Sequence, residues 1–529
     1  MGSNRFGDLV ASDDTDAASV GLLLLSGAIA ALVVSPLLWL LLRASEVEAT
    51  RAASLMLSSD TVEIFTNSVG LMAVVTIASI LIGVPLAFLT VRTDLPYRRF
   101  WTIVAALPLV VPSYIGAFAF VSAFGPRGEL SSLLGVGLPD VYGFYGAALI
   151  ITLYTYPYVF LTTRAALLSM DSSLVDAART LNSGRFKAFR RVTLPQIRPA
   201  IAAGGLLVAL YAISDFGTPA FMQVRVFTSA IYWEYGAFNV EYAALLSLQL
   251  IAVTAVVIAI EAGVGHDDDA SAGGADGTRL RLGAWQWPAM GAFAAIGFVT
   301  LVVPVAIFGL WFFQGAGGDV PSLEFQLEYV VNSVTLAGLA ALVASALAIP
   351  VGYMAARSDS LSARLFERMT YVGFAVPGIV IGLALVFFGS NYLPWVYRTI
   401  PLLVFAYVVR FLPQAVGSTR TSVLQVDERL DEAARTLNAG RVETFRRVTL
   451  PLIAPGVIAG GVLVFLTTMK ELPATLMLQP VGFDTLVTII WAAHESVHYR
   501  YAAIPALILI VISGLSMIVL LRQEKYNVS

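Results

Sequence analysis

Three groups of residues in this sequence have the types and spacing to do chemistry. His494-Glu495-Ser496-Val497-His498 fits H-E-x-x-H, which on a helix sets two imidazoles on one face for zinc, with a glutamate beside the metal as general base. Asp215, in Ser214-Asp215-Phe216-Gly217, and Glu471, in Lys470-Glu471-Leu472-Pro473, are carboxylates within apolar runs, where a charge is costly and by default marks a pathway. The third group is a pair of arginine-rich stretches, VDAARTLNSGRFKAFRRVTLP at 175–195 and DEAARTLNAGRVETFRRVTLP at 431–451, identical at 15 of 21 positions. Other chemistry is excluded. A phosphate-cradling loop ends in Gly-Lys-Ser/Thr, whereas the three lysines, Lys187, Lys470 and Lys525, follow Phe186, Met469 and Glu524. The chain has no cysteine, hence no disulfide and no thiolate metal site.

The elements that must position these residues are membrane spans. At 529 residues, 58% hydrophobic and 13% charged, with a mean hydropathy of +0.81, the chain reads as an all-α polytopic membrane protein. Runs of about 20 apolar residues, enough to cross a bilayer as helices, fall near 20–42, 67–91, 101–124, 143–165, 198–222, 242–263, 284–313, 332–356, 367–388, 399–419, 454–478 and 501–521. That is about twelve spans, with both termini on one side. The run at 20–42 has no charge and follows Asp13, Asp14 and Asp16, so it reads as a retained helix rather than a cleaved leader, and residues 1–19 as disordered. Residues 266–283 form an acidic linker. The acidity and the use of 29 arginines against three lysines are of the kind that salt-adapted proteins carry.

The spans repeat. Asn67-Ser68-Val69 opens one copy and Asn332-Ser333-Val334 the other; at that offset Pro85 matches Pro350, Arg92 matches Arg357 and Pro112 matches Pro377. Past a loop that is nine residues longer in the first copy, Pro157 matches Pro413, Arg164 matches Arg420 and Asp215 matches Glu471. Counting about 1.5 Å per residue from Pro199 or Pro455 puts both carboxylates roughly 24 Å along their spans, in the outer part of the membrane. Lys470 is the ammonium nearest to them in sequence, with Ser214 and Thr467 as polar neighbours. Each repeat is expected to form a half together with the span that precedes it, 20–42 or 284–313. Two such halves could line one pathway about a pseudo-twofold axis.

Each arginine-rich island lies between spans and so must sit in water, as a contact surface. In the first, Ala177, Ala178 and Leu181 share a helical face, Asn182-Ser183-Gly184 can supply a left-handed turn, and Phe186, Phe189 and Val192 begin a second apolar stripe that Pro195 closes. If the termini and islands are inside, inside segments hold 24 of the 32 Lys and Arg and outside loops 6, which selects that orientation.

This pattern resembles the cytoplasmic coupling motif of ABC importer permeases, Glu-Ala-Ala, a Gly and Ile-x-Leu-Pro at fixed spacing. Here the motif reads Asp176-Ala177-Ala178, Asn182, Gly184-Arg185 and Val192-Thr193-Leu194-Pro195, then Glu432-Ala433-Ala434, Asn438, Gly440-Arg441 and Val448-Thr449-Leu450-Pro451. Asp replaces Glu in the first copy. In both copies Asn takes the place of the family's Gly, with a Gly two residues later. The chain resembles fused, two-repeat type I permeases over 61–265 and 327–522. The resemblance implies that the chain is no enzyme and holds no cofactor. ATP would be hydrolysed on two copies of an ABC ATPase subunit, and an extracytoplasmic binding protein would deliver substrate to a multi-pass protein of the cytoplasmic membrane. No nucleic-acid partner is implied.

Within that family, Ser214-Asp215-Phe216-Gly217-Thr218-Pro219, Lys470-Glu471-Leu472-Pro473-Ala474-Thr475 and Gly482-Phe483-Asp484-Thr485-Leu486 look most like ferric-iron permeases, with thiamine and phosphonate permeases as near alternatives. A secondary transporter would also have twelve helices in two related halves but would not need matching islands. A zinc protease resting on His494 and His498 would need a third ligand. The matching first-half segment, 233–242, has no His, and His266 lies across the membrane, so incidental loop histidines are expected.

Overall fold

The computed structural model describes the backbone of residues 5–125, 141–170, 189–263, 279–315, 320, 323–358, 360–436 and 440–526. In chain order its helices are α1 (Arg5–Ser45), α2 (Ala49–Met56), α3 (Ser59–Arg92), α4 (Arg98–Ala106), α5 (Ser113–Phe124), α6 (Phe144–Ser169), α7 (Leu194–Ser214), α8 (Gly217–Phe221), α9 (Phe227–Gly236), α10 (Val240–Gly263), α11 (Gln286–Gly297) and α12 (Val303–Gln314). The second series is α13 (Leu327–Arg357), α14 (Leu361–Ala375), α15 (Gly378–Tyr392), α16 (Ile400–Gln425), α17 (Glu428–Thr436), α18 (Arg441–Thr444), α19 (Leu450–Met469), α20 (Pro473–Leu478), α21 (Leu486–Glu495) and α22 (Ala503–Tyr526). Among the described residues the one extended pairing outside helices is a bridge between Thr93 and Leu280.

Nine stretches of helix among the described residues are long and apolar enough to cross a membrane, or eleven if each of two bent pairs is one span. The bent pairs are the runs near 101–124 and 367–388, which the sequence read as single helices; they turn by 88° and 100°. The cause is Pro112 and Pro377. Each proline holds the residue before it, Val111 or Val376, in extended backbone and offers no N–H to continue the helix. The twelfth expected position, near 501–521, falls on α22, which is outside that count. At the other end, α1 begins at Arg5, ahead of its membrane-length part Val20–Ser45, where the sequence suggested an irregular segment.

Each repeat is organised on three mutually packed helices, α3, α6 and α7 in the first and α13, α16 and α19 in the second. Membrane helices lack a strong hydrophobic drive to associate and rely on close backbone approach through small residues. A glycine pair supplies it in both copies. Gly204 faces Val159 and Thr162 of α6, and Gly460 faces their equivalents on α16, where an added Cβ would lie 2.9 Å from the Ala415 Cα and 3.1 Å from the Ser418 Cβ. Gly205 and Gly461 turn to the third helix, against Ile80 and Ser345.

The repeated Asn-Ser signature also has a structural task. Asn67 donates to the Arg225 carbonyl at 3.1 Å and Asn332 to that of Asp484 at 2.9 Å. The first N–H of α9, from Phe227, donates to Ser68 Oγ at 2.8 Å, and that of α21, from Leu486, to Ser333 Oγ at 2.9 Å. Helix N-termini leave such donors unpaired, and within an apolar layer they must find protein acceptors.

The compact units do not follow the halves expected from sequence. One unit comprises 1–46, 326–489 and 515–529, and the other 47–325 and 490–514. Thus α1 packs against α14 and α15 of the second repeat, with Trp39 stacked on Phe388 and Tyr392 at 4.9 and 4.7 Å. Conversely α11 and α12, which precede the second repeat in sequence, pack against α4 and α5 of the first, through Trp101 on Phe293 and Phe118 on Phe308 and Trp311. Each bent pair presents an apolar flank that one more helix covers. Nothing in sequence order states which helix that is.

The glycine pairs give a test. Gly460→Val should destabilise the purified protein by about 1–3 kcal/mol through overpacking, read as a lower thermal midpoint in detergent. Gly338→Ala, whose methyl meets nothing within 4 Å, should leave the midpoint unchanged.

Candidate functional site

The spans carrying the two acidic residues break where those residues stand. Asp215 ends α7, its N–H still donating to the Tyr211 carbonyl at 2.9 Å, and its Oδ1 accepts from the Thr218 N–H of α8 at 3.4 Å. One carboxylate therefore closes one helix and opens the next. Its other oxygen accepts from Ser113 Oγ at 2.9 Å, and that hydroxyl lies 3.0 Å from the Tyr211 hydroxyl. Thr228 donates to the Asp215 carbonyl at 2.7 Å. Backbone groups freed by the break are thus met by the side chains of Asp215 and Thr228, and Ser113 of α5 holds the carboxylate.

Glu471 does the same work with a different partner. Its Oε1 accepts from the Ala474 N–H of α20 at 3.3 Å, and its carbonyl accepts from the Thr475 hydroxyl. The same Oε1 is 3.0 Å from Arg410 Nη1 of α16, in an ion pair whose side chains are 6% and 19% exposed. The sequence offered Lys470 as the neutralising cation. The partner is Arg410, 61 residues away, because α16 packs against α19 and α20 and delivers a guanidinium to the break. Room for it comes from Gly378, where any Cβ would collide with the Arg410 guanidinium and the Glu471 carboxylate. The first-half equivalents of Gly378 and Arg410 are Ser113 and Tyr154. So one half satisfies its acid with a hydroxyl and the other with a charge.

Around these acids, Ser214 is the last residue of α7 and Lys470 the residue after α19. Thr467 Oγ1 lies 3.2 Å from Gln414 Oε1, and the first-half equivalents of that pair, Tyr211 and Tyr158, have ring centroids 6.2 Å apart. Past each break the short helix packs on the second limb of the bent pair, α8 on α5 and α20 on α15. Sequence reading missed Ser113, Tyr211, Gly378, Arg410 and Gln414. The available signal was an arginine inside an apolar span, which requires an acidic partner.

Of the islands, the second is described except for Asn438 and its neighbours at 437–439; in the first, Asp176, Ala177, Ala178, Asn182, Gly184 and Arg185 lie outside the described residues. The expected left-handed turn residue of either copy falls there too. The described residues of the second copy form two short helices. Asp427 Oδ1 accepts from the Arg429 N–H at 3.0 Å to open α17, which carries Glu432, Ala433 and Ala434, and Gly440 leads into α18, which begins at Arg441. Glu432 and Ala433 are exposed, as are the apolar side chains of Leu430 and Val442. An added Cβ at Gly440 would meet nothing within 4 Å.

The prolines that end the motif do not close the unit. Both copies of Phe-Arg-Arg-Val-Thr, 189–193 and 445–449, form a π-helical turn, and the chain continues through Leu194-Pro195 or Leu450-Pro451 into α7 or α19. A proline ring clashes with the carbonyl four residues before it, and widening the turn to π spacing relieves that clash. The junction is anchored alike in both halves. Phe189 packs edge-on against Phe88 at 5.3 Å and Phe445 against Tyr353 at 5.5 Å. Leu194 and Leu450 pack into the adjoining apolar clusters around Ile197 and Ile453. Just before the islands, Arg92 donates to the Leu167 carbonyl at 3.1 Å and Arg357 to that of Val426 at 2.9 Å.

The H-E-x-x-H pattern does not form a helical pair. α21 ends at Glu495, Val497 adopts a left-handed φ of 60°, and His498 lies in the turn with its Nδ1 2.7 Å from the Ser496 carbonyl. His494 is enclosed by rings, 4.4 Å from Phe221 and about 6 Å from Phe118, Trp491 and Tyr499, and this burial pushes its imidazole down to about 4. Among the described residues no group of three or more His, Cys, Asp or Glu could hold a metal.

A duplicated, all-helical membrane scaffold with matched arginine-rich stretches between its spans and acidic breaks within them defines a two-repeat transport permease. Residues 79–264 and 348–525 each match the family described as binding-protein-dependent transport system inner membrane component, and the chain belongs to that family. It is 32% identical over 496 residues to the Fe(3+)-transport system permease protein FbpB 2 of Haemophilus influenzae, covering 92% of this chain and 94% of that protein. It is 25% identical to the ferric transport system permease protein FbpB of Actinobacillus pleuropneumoniae, over 80% of this chain and 66% of that one. A molybdate/tungstate transport system permease protein, WtpB of Thermococcus kodakarensis, is 29% identical over 35% of this chain and 76% of its own. The chain is therefore a multi-pass subunit of a membrane transport system rather than an enzyme in its own right.

The Arg410–Glu471 pair is testable by a double-mutant cycle. Arg410→Gln strands a buried carboxylate and should cost about 3–5 kcal/mol. Adding Glu471→Gln should restore much of the loss in thermal midpoint, and additive losses would show that the two charges are not coupled.

Proposed function

We propose that this chain forms the translocation pathway of an ATP-driven importer for ferric iron, with hydrolysis on two copies of a separate ATPase and substrate delivered by an extracytoplasmic binding protein. The observation that carries the substrate is the end-to-end similarity to the Haemophilus Fe(3+)-transport permease, over 92% of this chain, where the molybdate/tungstate relative spans 35%. The positive-inside bias supports cytoplasmic termini and islands. The islands are the ATPase docking surfaces. This is supported by the two short helices of the second copy and by Leu430, Ala433 and Val442, which are exposed there. The acidic breaks, Asp215 with Ser214 in one half and Glu471 with Thr467 and Lys470 in the other, guide or gate the cation at the outer end of the pathway. Their support is that intramembrane carboxylates are retained where a pathway uses them.

Reconstitution into liposomes with its ATPase and binding protein should give ATP-dependent uptake of ferric iron and not of molybdate, thiamine or a phosphonate. Uptake by the chain alone without ATP would instead identify a secondary transporter. Gly440→Arg should leave the protein folded, since the site is open, but abolish ATPase association and most uptake; full transport by Gly184→Arg with Gly440→Arg would sink the docking assignment. Asp215→Asn with Glu471→Gln should reduce uptake while ATPase association persists. Unchanged uptake in that double variant would leave the two acids as helix caps only.

A further inference from the structure

The internal repeat serves as its own control for charge. In the second half Arg420, near the end of α16, pairs with Glu367 of α14 at 3.4 Å and donates to the Ala355 carbonyl at 3.5 Å. The first-half equivalent of Arg420 is Arg164, near the end of α6, and that of Glu367 is Thr102, on α4. Among the described residues no carboxylate pairs with Arg164. Thr102 donates its hydroxyl to the Arg98 carbonyl at 2.8 Å, and the charge that acts on Arg164 is that of Arg98, one helical turn before Thr102, where the second half has Ala363. Arg98 and Arg164 are both half-buried, and Arg164 Nε is enclosed with no hydrogen-bond partner among the described residues. Two like charges that act on one another with no anion among the described residues are costly, and the cost falls if an anion from outside the chain sits between them.

The surroundings identify that anion. Arg98 opens a helix whose first turn exposes Tyr97 and Phe100, 81% and 56% accessible, beside the exposed Arg99. The strand after the linker docks onto the turn before α4. Leu280 N–H donates to the Arg92 carbonyl at 2.9 Å, Asp94 N–H to the Leu280 carbonyl at 3.1 Å, and Leu282 N–H to the Asp94 carboxylate at 2.8 Å. That docking fixes exposed Arg279 and Arg281 on either side of Leu280 and occupies Asp94, and just beyond it stand exposed Trp285 and Trp287, 74% and 69% accessible. Cationic side chains interleaved with exposed aromatic rings at the end of membrane helices are the composition of a headgroup layer, and basic pockets between helices at that level take lipid phosphates.

We propose that Arg98 and Arg164 of the first half hold the phosphate of an anionic membrane lipid, which supplies the charge that Glu367 supplies to Arg420 in the second half. The site is a property of one half only. Arg99, Arg279 and Arg281 add attraction for an anionic leaflet without enclosing the phosphate.

The test uses the purified full chain in detergent, titrated separately with phosphatidylglycerol, phosphatidylcholine and inorganic phosphate. Lipid retained per chain is read by native mass spectrometry, alongside the thermal midpoint. Phosphatidylglycerol should be retained with a preference over phosphatidylcholine of roughly tenfold and should raise the midpoint. Thr102→Glu, which installs the carboxylate the second half already carries, should remove that preference while keeping the protein folded. Arg164→Gln should remove it too; if that variant does not fold, Thr102→Glu carries the test. Glu367→Gln should increase the phosphatidylglycerol retained by opening an equivalent site. An undiminished preference in Thr102→Glu overturns the proposal. So does stabilisation by inorganic phosphate equal to that by the lipid. Both readouts are independent of ATP and iron, so they stand or fall apart from the importer assignment.

Discussion

A helix that stops inside an apolar layer leaves N–H and C=O groups that no water reaches, and the protein must satisfy each of them itself. Much of this structure follows from that constraint. Among the described residues the chain stops helices within the apolar layer at four places, after Val110 and Ala375 and again after Ser214 and Met469. The first two stops are made by proline and come with a sharp bend. The last two come with a carboxylate that caps the following short helix, and around each the neighbouring helices bring hydroxyls or a guanidinium to complete the hydrogen bonding. An uncapped break at either place would cost several kcal/mol in such surroundings, which is reason enough for a polar residue there. The choice of an acid, rather than a serine or asparagine able to make the same caps, is what sets these positions apart from structural necessity.

Duplication then separates what the scaffold needs from what each half has acquired. The glycine pairs, the Asn-Ser clamps, the arginines on the carbonyls before the islands and the aromatic contact at the π-helical turn occur in both copies with nearly the same geometry. Those features hold helices at fixed spacing. Around the acids and arginines the copies differ in charge, Tyr154 against Arg410 and Thr102 against Glu367, with Ser113 against Gly378 beside the first pair. At the acidic breaks they leave one carboxylate paired with a cation and the other with hydroxyls, so the two halves are unlike in electrostatics even though their backbones repeat.

How much of this could be read from the sequence depended on the range of the signal. The spans, the duplication and the islands are local patterns of apolar runs and identical residues, and they were legible. Asp215 and Glu471 were legible as exceptions within those runs. Arg410 as the partner of Glu471 was not, because 61 residues and a helix packing separate them, and nearness in sequence pointed to Lys470 instead. The exchange of the preceding helices between repeats was hidden for the same reason. The H-E-x-x-H pattern was set aside in sequence for want of a third ligand, and the structure adds a local reason: the pattern presumes a continuous helix, and α21 ends before its second histidine, at a left-handed Val497 that periodicity does not announce.

The uninterrupted path from island to break is the remaining consequence. Had Pro195 and Pro451 closed the islands, a loop would separate them from the spans, and movement of a docked partner would be absorbed there. Instead the π-helical turn carries the helix past each proline, and α7 and α19, 21 and 20 residues long, run about 30 Å from the island to the acidic residue. A continuous helix transmits displacement along its axis. Near its middle the glycine pairs, Gly204-Gly205 and Gly460-Gly461, set how near the neighbouring helices lie. Under the importer reading, each half thus joins the surface that meets the ATPase to the carboxylate at the outer end of the pathway by one helix with no loop between them, and the helix ends at the break that the carboxylate itself caps.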